Sequence, residues 1–378
     1  MKNDKFQKLT LKIRRRLAGK FRAMAWRLSG REPQSDNNLS IIYFGGESQK
    51  NYLAKLVFGD SYKESYDGKK WFWEIYKIAK NNKDDHSLIV IEGSDLHRKL
   101  YEEDGDFFIP CWVNGELDIP LDTRKKHIKG DLRSIRKNKL EYIEANEPDL
   151  FHYFYHEMHL PYVTRRFGNT SLPLGYNGIK QAIKTGTCSL LLIKKENEYI
   201  AGELIKYEGD NPKLWVFGVK DGDPSYLQDG ALTAAYHFAC AYLKDRGYKS
   251  VNVGSSRAFL DDGVLRYKKT RGMRLVDKSK KGFLIKPLSS STALKEFFLK
   301  NPFIHVDQGK LYGAIFIDNE EVCLNGNLEK LVKHYSIQGI SGLTIYRFGG
   351  DQKEKEIEIP PALVGKITIR SADRLRGF

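Results

Sequence analysis

TCSLLLIKKENEYIAGELIKYEGDNPKLWVFGVKDGDPSYLQDGALTAAYHFACAYLKDRGYKSVNVG, residues 187–254, is the stretch that decides the fold. Residues 189–193 form an apolar run of strand length, 195–198 (Lys-Glu-Asn-Glu) a polar turn, and 199–207 the return strand, so the run predicts a hairpin. A third strand follows over 214–219. After a loop at 220–229, residues 230–246 place Leu232, Ala235, Tyr236, Ala239 and Leu243 at helical spacing. Gly247 then stops the helix as a left-handed cap does, and 250–253 is a short strand closing at Gly254. An antiparallel meander, a long helix and a further strand make an α+β sheet unit.

Working outward, residues 39–44 read as a buried strand ending in Gly45-Gly46, with a helix over 49–58 and a strand at 88–91. This predicts a small α/β lobe over 39–120. The Gly45-Gly46 pair lacks the G-x-G-x-x-G spacing of a dinucleotide loop and reads as a tight turn. Residues 123–138 predict a basic helix with Ile128, Leu132 and Ile135 on one face. Residues 147–160 predict another, carrying His152, His156 and His159. His152 and His156 stand four apart, as helical zinc ligands can. No third ligand has matching spacing, so packed or surface histidines are expected and no metal. The principal domain is expected over 121–290. Strands at 311–317 and 343–348 and a helix near 327–335 predict a C-terminal α/β extension over 291–378.

Charge is concentrated. The chain of 378 residues has a net charge of +15, of which residues 1–31 supply +10 and residues 124–139 supply +7, leaving the remainder at −2. Two basic segments on a near-neutral body attract anionic head groups, phosphates or RNA. Phe6, Leu9, Ile13, Leu17, Phe21, Met24 and Leu28 recur every three or four residues, opposite Lys8, Lys12, Arg15, Arg16, Lys20, Arg22 and Arg27, with Trp26 near the end. Residues 1–30 therefore predict a basic amphipathic helix. It lies flat on an anionic membrane or packs on its own domain. Residues 30–38 read as a linker. No apolar run reaches membrane-spanning length and no secretory leader is recognisable. Cys111, Cys188, Cys240 and Cys323 are scattered without a C-x-x-C pair. That fits a reducing, cytoplasmic setting, peripheral on the inner face of the plasma membrane.

Five segments together resemble the GNAT acyltransferase superfamily, and within it the FemAB-like branch. They are the basic helix with Arg133, Arg136 and Lys137 before a strand at 140–143; FHYFYHEMHLPYVTRRFG at 151–168; Ile200-Ala201-Gly202 on the return strand; YLQDGAL at 226–232; and GVLRYKK at 263–269 with Gly272. The resemblance covers about residues 120–290. It implies a GNAT-like mixed sheet flanked by helices, and tandem lobes would make 39–120 a degenerate first copy. It also implies an acyl-CoA (acetyl-CoA) donor. The donor's pyrophosphate would meet Gln228, Asp229, Gly230, Ala231 and Leu232, where free N–H groups and the positive helix end favour an anion. Asp229 is equally suited to capping that helix.

The implied reaction is acyl transfer to an amine of an amino sugar or related cell-envelope precursor, in polysaccharide or glycolipid assembly. The amine must lose a proton, and Glu203, directly after Gly202, is the candidate base. Asp261 and Asp262 are further carboxylate candidates, or caps of the following helix. Tyr267 is a candidate proton donor, or a packed aromatic. Arg266, Lys268 and Tyr226 would meet an anionic substrate, or form a solvated helix face. Cys188 and Cys240, among apolar neighbours, read as structural. Two alternatives stay open. One is an aminoacyl-tRNA donor, as in peptidoglycan bridge formation. The other is a non-catalytic membrane scaffold that keeps only the fold.

Overall fold

The structure, a computed structural model, describes residues 22–33, 36–81, 86–167, 175–318, 327–349, 359–372 and 375. The opening stretch builds the middle of a seven-stranded sheet. Its strands are β6 (Val113–Asp118), β7 (Leu140–Ala145), β8 (Cys188–Lys195), β9 (Glu198–Lys206), β10 (Lys213–Val219), β11 (Ser250–Ser256) and β12 (Arg274–Lys278). Their order across the sheet is β12-β6-β11-β10-β9-β8-β7. Every neighbouring pair is antiparallel except β10 and β11. That parallel pair is joined at one register position, Lys213 opposite Asn252, so the strands part beyond it. Helices are labelled α1 (Glu47–Phe58), α2 (Lys126–Lys137), α3 (Ala231–Asp245), α4 (Gly263–Thr270) and α5 (Thr292–Lys300); α3 connects the splayed strands.

Leu190–Ile193 and Ile200–Ile205 are buried without alternation. The pattern means that both faces are covered. One face carries α3. The other carries a π-helical turn, Phe154–His159, inserted between the helices Pro148–Tyr153 and Leu160–Phe167. The π turn sits so close that a Cβ on Gly218 would lie 2.6 Å from the His159 nitrogen and 2.7 Å from the Met158 carbonyl carbon. Backbone cannot yield as a flexible side chain would. Gly218→Ala is therefore expected to cost about 1–3 kcal/mol, as overpacking does. A urea-midpoint change equivalent to under about 0.5 kcal/mol, the range of ordinary surface substitutions, would show that the turn is not pressed onto the strand.

A six-stranded sheet forms the first lobe: β1 (Arg22–Arg31), β2 (Asn38–Gly45), β3 (Tyr62–Trp71), β4 (Leu88–Ser94), β5 (Phe107–Pro110) and β13 (Lys281–Pro287), ordered β3-β1-β2-β4-β13-β5. It repeats the plan of the larger sheet, with a parallel pair, β2 and β4, amid antiparallel neighbours. The chain crosses between the two sheets twice. β6 follows β5 directly yet pairs with β11 and β12, and β13 follows β12 directly yet pairs with β4 and β5. The third sheet, β14 (Phe303–Asp307), β15 (Lys310–Asp318), β16 (Leu343–Phe348) and β17 (Ile367–Ser371), packs on the first lobe. Phe107 of β5 lies 5.0–5.9 Å from Phe303, Phe316 and Tyr346 at that junction.

One expectation is overturned. Residues 22–31 are strand β1, not the end of an amphipathic helix. Met24, Trp26 and Leu28 satisfy a two-residue period as well as a helical one, and Ala25, Trp26 and Leu28 are buried between β2 and β3. Sheet partners on both sides decide the ambiguity, and the expected linker begins only after Arg31. Residues 1–21, which carry most of the expected membrane helix, lie outside the described residues, as does Cys323. Strand β3, YKESYDGKKW, had no apolar signal because it is a largely exposed edge. Gly45 ends β2 and Gly46 caps α1. The expected loop at 220–229 contains a short helix, Pro224–Gln228.

Candidate active site

Gly202 and Leu204 of β9 face the π turn: a Cβ on Gly202 would meet Phe154, and Leu204 clusters with Phe154 and Met158. Strand alternation sends Glu203 to the opposite face. There it meets Tyr236 and Cys240 of α3 and Lys268 of α4. Glu203 is 2% exposed and forms no hydrogen bond among the described residues. Burial pushes its carboxyl up to about 8, against the opposing pull of the Lys268 charge. Lys268 is also buried. Its Nζ donates to the carbonyls of Gly254 (3.3 Å) and Ser255 (2.9 Å) at the end of β11. Burial draws its ammonium down to about 8. A carboxyl and an amine each displaced toward neutral pH suit acid–base work.

Tyr267 completes this cluster. Its ring lies under the Arg271 guanidinium at 3.5 Å and meets Tyr236 edge-on at 5.4 Å. Its hydroxyl is buried without a hydrogen-bond partner of normal length, and burial pushes it up to about 12. Asp131 of α2 anchors the arrangement. It accepts from Arg271 Nη2 at 2.8 Å, and its other oxygen is 3.7 Å from His237 Nε2. Ser256 Oγ, at the end of β11, is likewise buried and unpartnered among the described residues.

The structure thus brings Glu203, Tyr267 and Lys268 together and places the other candidates elsewhere. Asp262 Oδ1 accepts from the Leu265 amide at 2.9 Å and caps α4. Asp261 is turned outward, accepting from Tyr335 Oη at 3.1 Å with exposed Arg266 at 3.9 Å. At the start of α3, Asp229 pairs with Lys195 at 2.7 Å, and its carbonyl accepts from Asn138 Nδ2 at 2.7 Å. Gly230 is left-handed (φ 95°) and buried under Ser134, whose Oγ would be 2.9 Å from an added Cβ. Ala231 is fully buried and Leu232 half-buried. The amides of Ala231, Leu232 and Thr233 meet no backbone acceptor among the described residues. Gln228 is exposed, and Tyr226 Oη donates to Glu198 at 3.2 Å, on the outer rim.

Sequence reading missed Asp131, Arg271, His237, Tyr236 and Ser256. Asp131 left a trace as the single acid in the basic run 124–139, and Tyr236 was legible only as an apolar position of the long helix. The rings of His152 and His156 are tilted against each other at 4.3 Å, and Tyr176 meets the first edge-on and the second at a tilt. Among the described residues no group of three His, Cys, Asp or Glu could hold a metal ion. No helix there is long and apolar enough to cross a membrane.

No protein-family model matches the chain, and no curated protein matches it. Several solved structures are similar at a distance. FemX is 13% identical with a TM-score of 0.36, over 69% of this chain and 84% of FemX. L-PGS from Bacillus licheniformis is 12% identical with a TM-score of 0.34, over 69% of this chain and 80% of that one. A GCN5-related N-acetyltransferase from Sphaerobacter thermophilus is 12% identical with a TM-score of 0.32, over 66% and 73%. Likeness this distant carries no argument about chemistry. The splayed parallel pair bridged by α3, in a mixed sheet flanked by helices, agrees with the mixed-sheet fold class expected from the sequence.

Proposed function

We propose that this chain transfers an acyl group to an amine, with Glu203 as the base. An attacking amine must be deprotonated, and a base serves best when it titrates near working pH. The observation that carries the reading is the buried Glu203 carboxyl, held without a hydrogen bond on the strand beside the splayed pair. Lys268 stabilises the carboxylate and Tyr267 supplies a hydroxyl proton to the leaving group. The acceptor class is an amino sugar or a related cell-envelope precursor.

Acyl-CoA is the proposed donor, its phosphates directed at the amides of Ala231, Leu232 and Thr233. Beside them, α2 exposes Lys126, Lys129, Arg133, Arg136 and Lys137, spaced along one face, and none is in an ion pair among the described residues. Incubation with acetyl-CoA and a panel of amino sugars should release free thiol. Absence of thiol with every amine, together with no CoA-induced rise in melting temperature, would remove the CoA reading. The same α2 stripe favours a second reading, an aminoacyl-tRNA donor. Five phosphate contacts to single-stranded RNA would give a log–log salt slope of about −3 to −4 in tRNA filter binding.

A further inference from the structure

Arg257 follows β11 directly and reaches across to the first lobe. Its guanidinium carbon lies 3.6 Å from the Tyr52 ring centroid and 3.8 Å from that of Trp112. Nη1 donates to Gln49 Oε1 at 2.7 Å and to the Cys111 carbonyl at 3.3 Å. Two rings and two acceptors fix the plane and rotation of the group. Nothing among the described residues uses the opposite edge: Nε and Nη2 donate to no acceptor, and neither is sealed from solvent.

The charge also lacks a counter-ion. No carboxylate lies within 4.0 Å of it among the described residues. Asp262 acts on it through space but is committed to the Leu265 amide. Glu92, in the same neighbourhood, is committed to the Gly46 amide, Tyr43 Oη and Lys281. The contrast with Arg271 is direct, since that buried guanidinium is met by Asp131 at 2.8 Å. A half-buried, immobilised cation with no carboxylate beside it favours an arriving anion. The free Nε–Nη2 edge is the fork that grips two oxygens of one carboxylate or phosphate in parallel.

We propose that Arg257, clasped by Tyr52 and Trp112 at the junction of the two lobes, is a binding site for an oxyanion, a carboxylate or a phosphate group, on a ligand of this protein. The site requires no acyl transfer, so binding alone tests it. Inorganic phosphate and acetate are titrated separately at constant ionic strength into the full chain. The readouts are the arginine Nε–Hε resonance that is absent from Arg257→Lys, and the melting temperature. A saturable shift of that resonance is expected with phosphate or with acetate, and which anion saturates assigns the ligand group. The anion-induced rise in melting temperature should fall at least tenfold in sensitivity to concentration in Arg257→Gln and Arg257→Lys. It should persist in Arg27→Gln, a surface control. Arg257→Lys keeps the cation between the rings, so it serves should the glutamine variant misfold. No saturable shift with either anion, or a melting-temperature rise unchanged in the folded Arg257 variants, overturns the site.

Discussion

Glu203→Gln should lose about 10²–10⁴-fold in turnover, the span that a general base contributes, and should level the pH dependence of stability between about pH 5 and 8. The sign follows from proton counting. Folded Glu203 titrates near 8, whereas the unfolded side chain titrates near the ordinary value of 4.5. Between those values the folded state holds a proton that the unfolded state has released. Stability therefore falls as pH rises through the window, at about 1.4 kcal/mol per unit at most. Lys268, drawn down to about 8 from 10.5, acts in the next window and with the opposite sign: stability from that group rises between about pH 8 and 10.5. Glutamine cannot ionise. The stability of the variant relative to wild type should therefore be lowest near pH 5, where both side chains are neutral, and should rise toward pH 8. Urea midpoints at five pH values decide the matter. Equal slopes in the two proteins would mean that Glu203 is solvated. Unchanged turnover would remove it as the base.

Asp131→Ala should destabilise the fold by about 3–5 kcal/mol, the cost of leaving a buried charge without its partner. Arg271 retains 8% side-chain exposure and Asp131 13%, so the lost contact is poorly replaced by bulk water. The damage should reach the site, because Arg271 stacks on Tyr267 and donates to its carbonyl. Replacing both partners, as Asp131→Leu with Arg271→Met, should recover most of the stability while leaving turnover low. A single-variant cost below about 1 kcal/mol would mark the pair as an ordinary surface ion pair.

These two residues also show how far the sequence could be read. Glu203 was legible because local patterns place it: the hairpin 188–206 and the helix Ala231–Asp245 carry apolar runs and end signals within a few residues. Strand Leu343–Phe348 and helix Asn327–Tyr335 were legible for the same reason. The Asp131–Arg271 pair joins residues 140 apart, and nothing near either one announces the other. Strand β1 was hidden because its apolar residues fit two periods at once, and only its neighbours choose between them. Asp262 shows the opposite failure. Its position before an apolar helix suits a cap as well as a catalytic acid, and the hydrogen bond to Leu265 decides for the cap.

The paired crossings into β6 and β13 bear on how the halves of this molecule can move and be made. The chain passes between the two sheets at residues 111–112 and again at 279–280, and the crossings are bonded side by side: the Cys111 amide donates to the Lys281 carbonyl at 3.0 Å and the Ser279 amide to the Trp112 carbonyl at 2.8 Å. Spreading the lobes would strain this joint while leaving the ladders of each sheet whole, so relative movement of the lobes pivots there. A chain severed after residue 120 would place β6 on one fragment and its partners β11 and β12 on the other. Such fragments should refold only when mixed, each serving as the template for its counterpart.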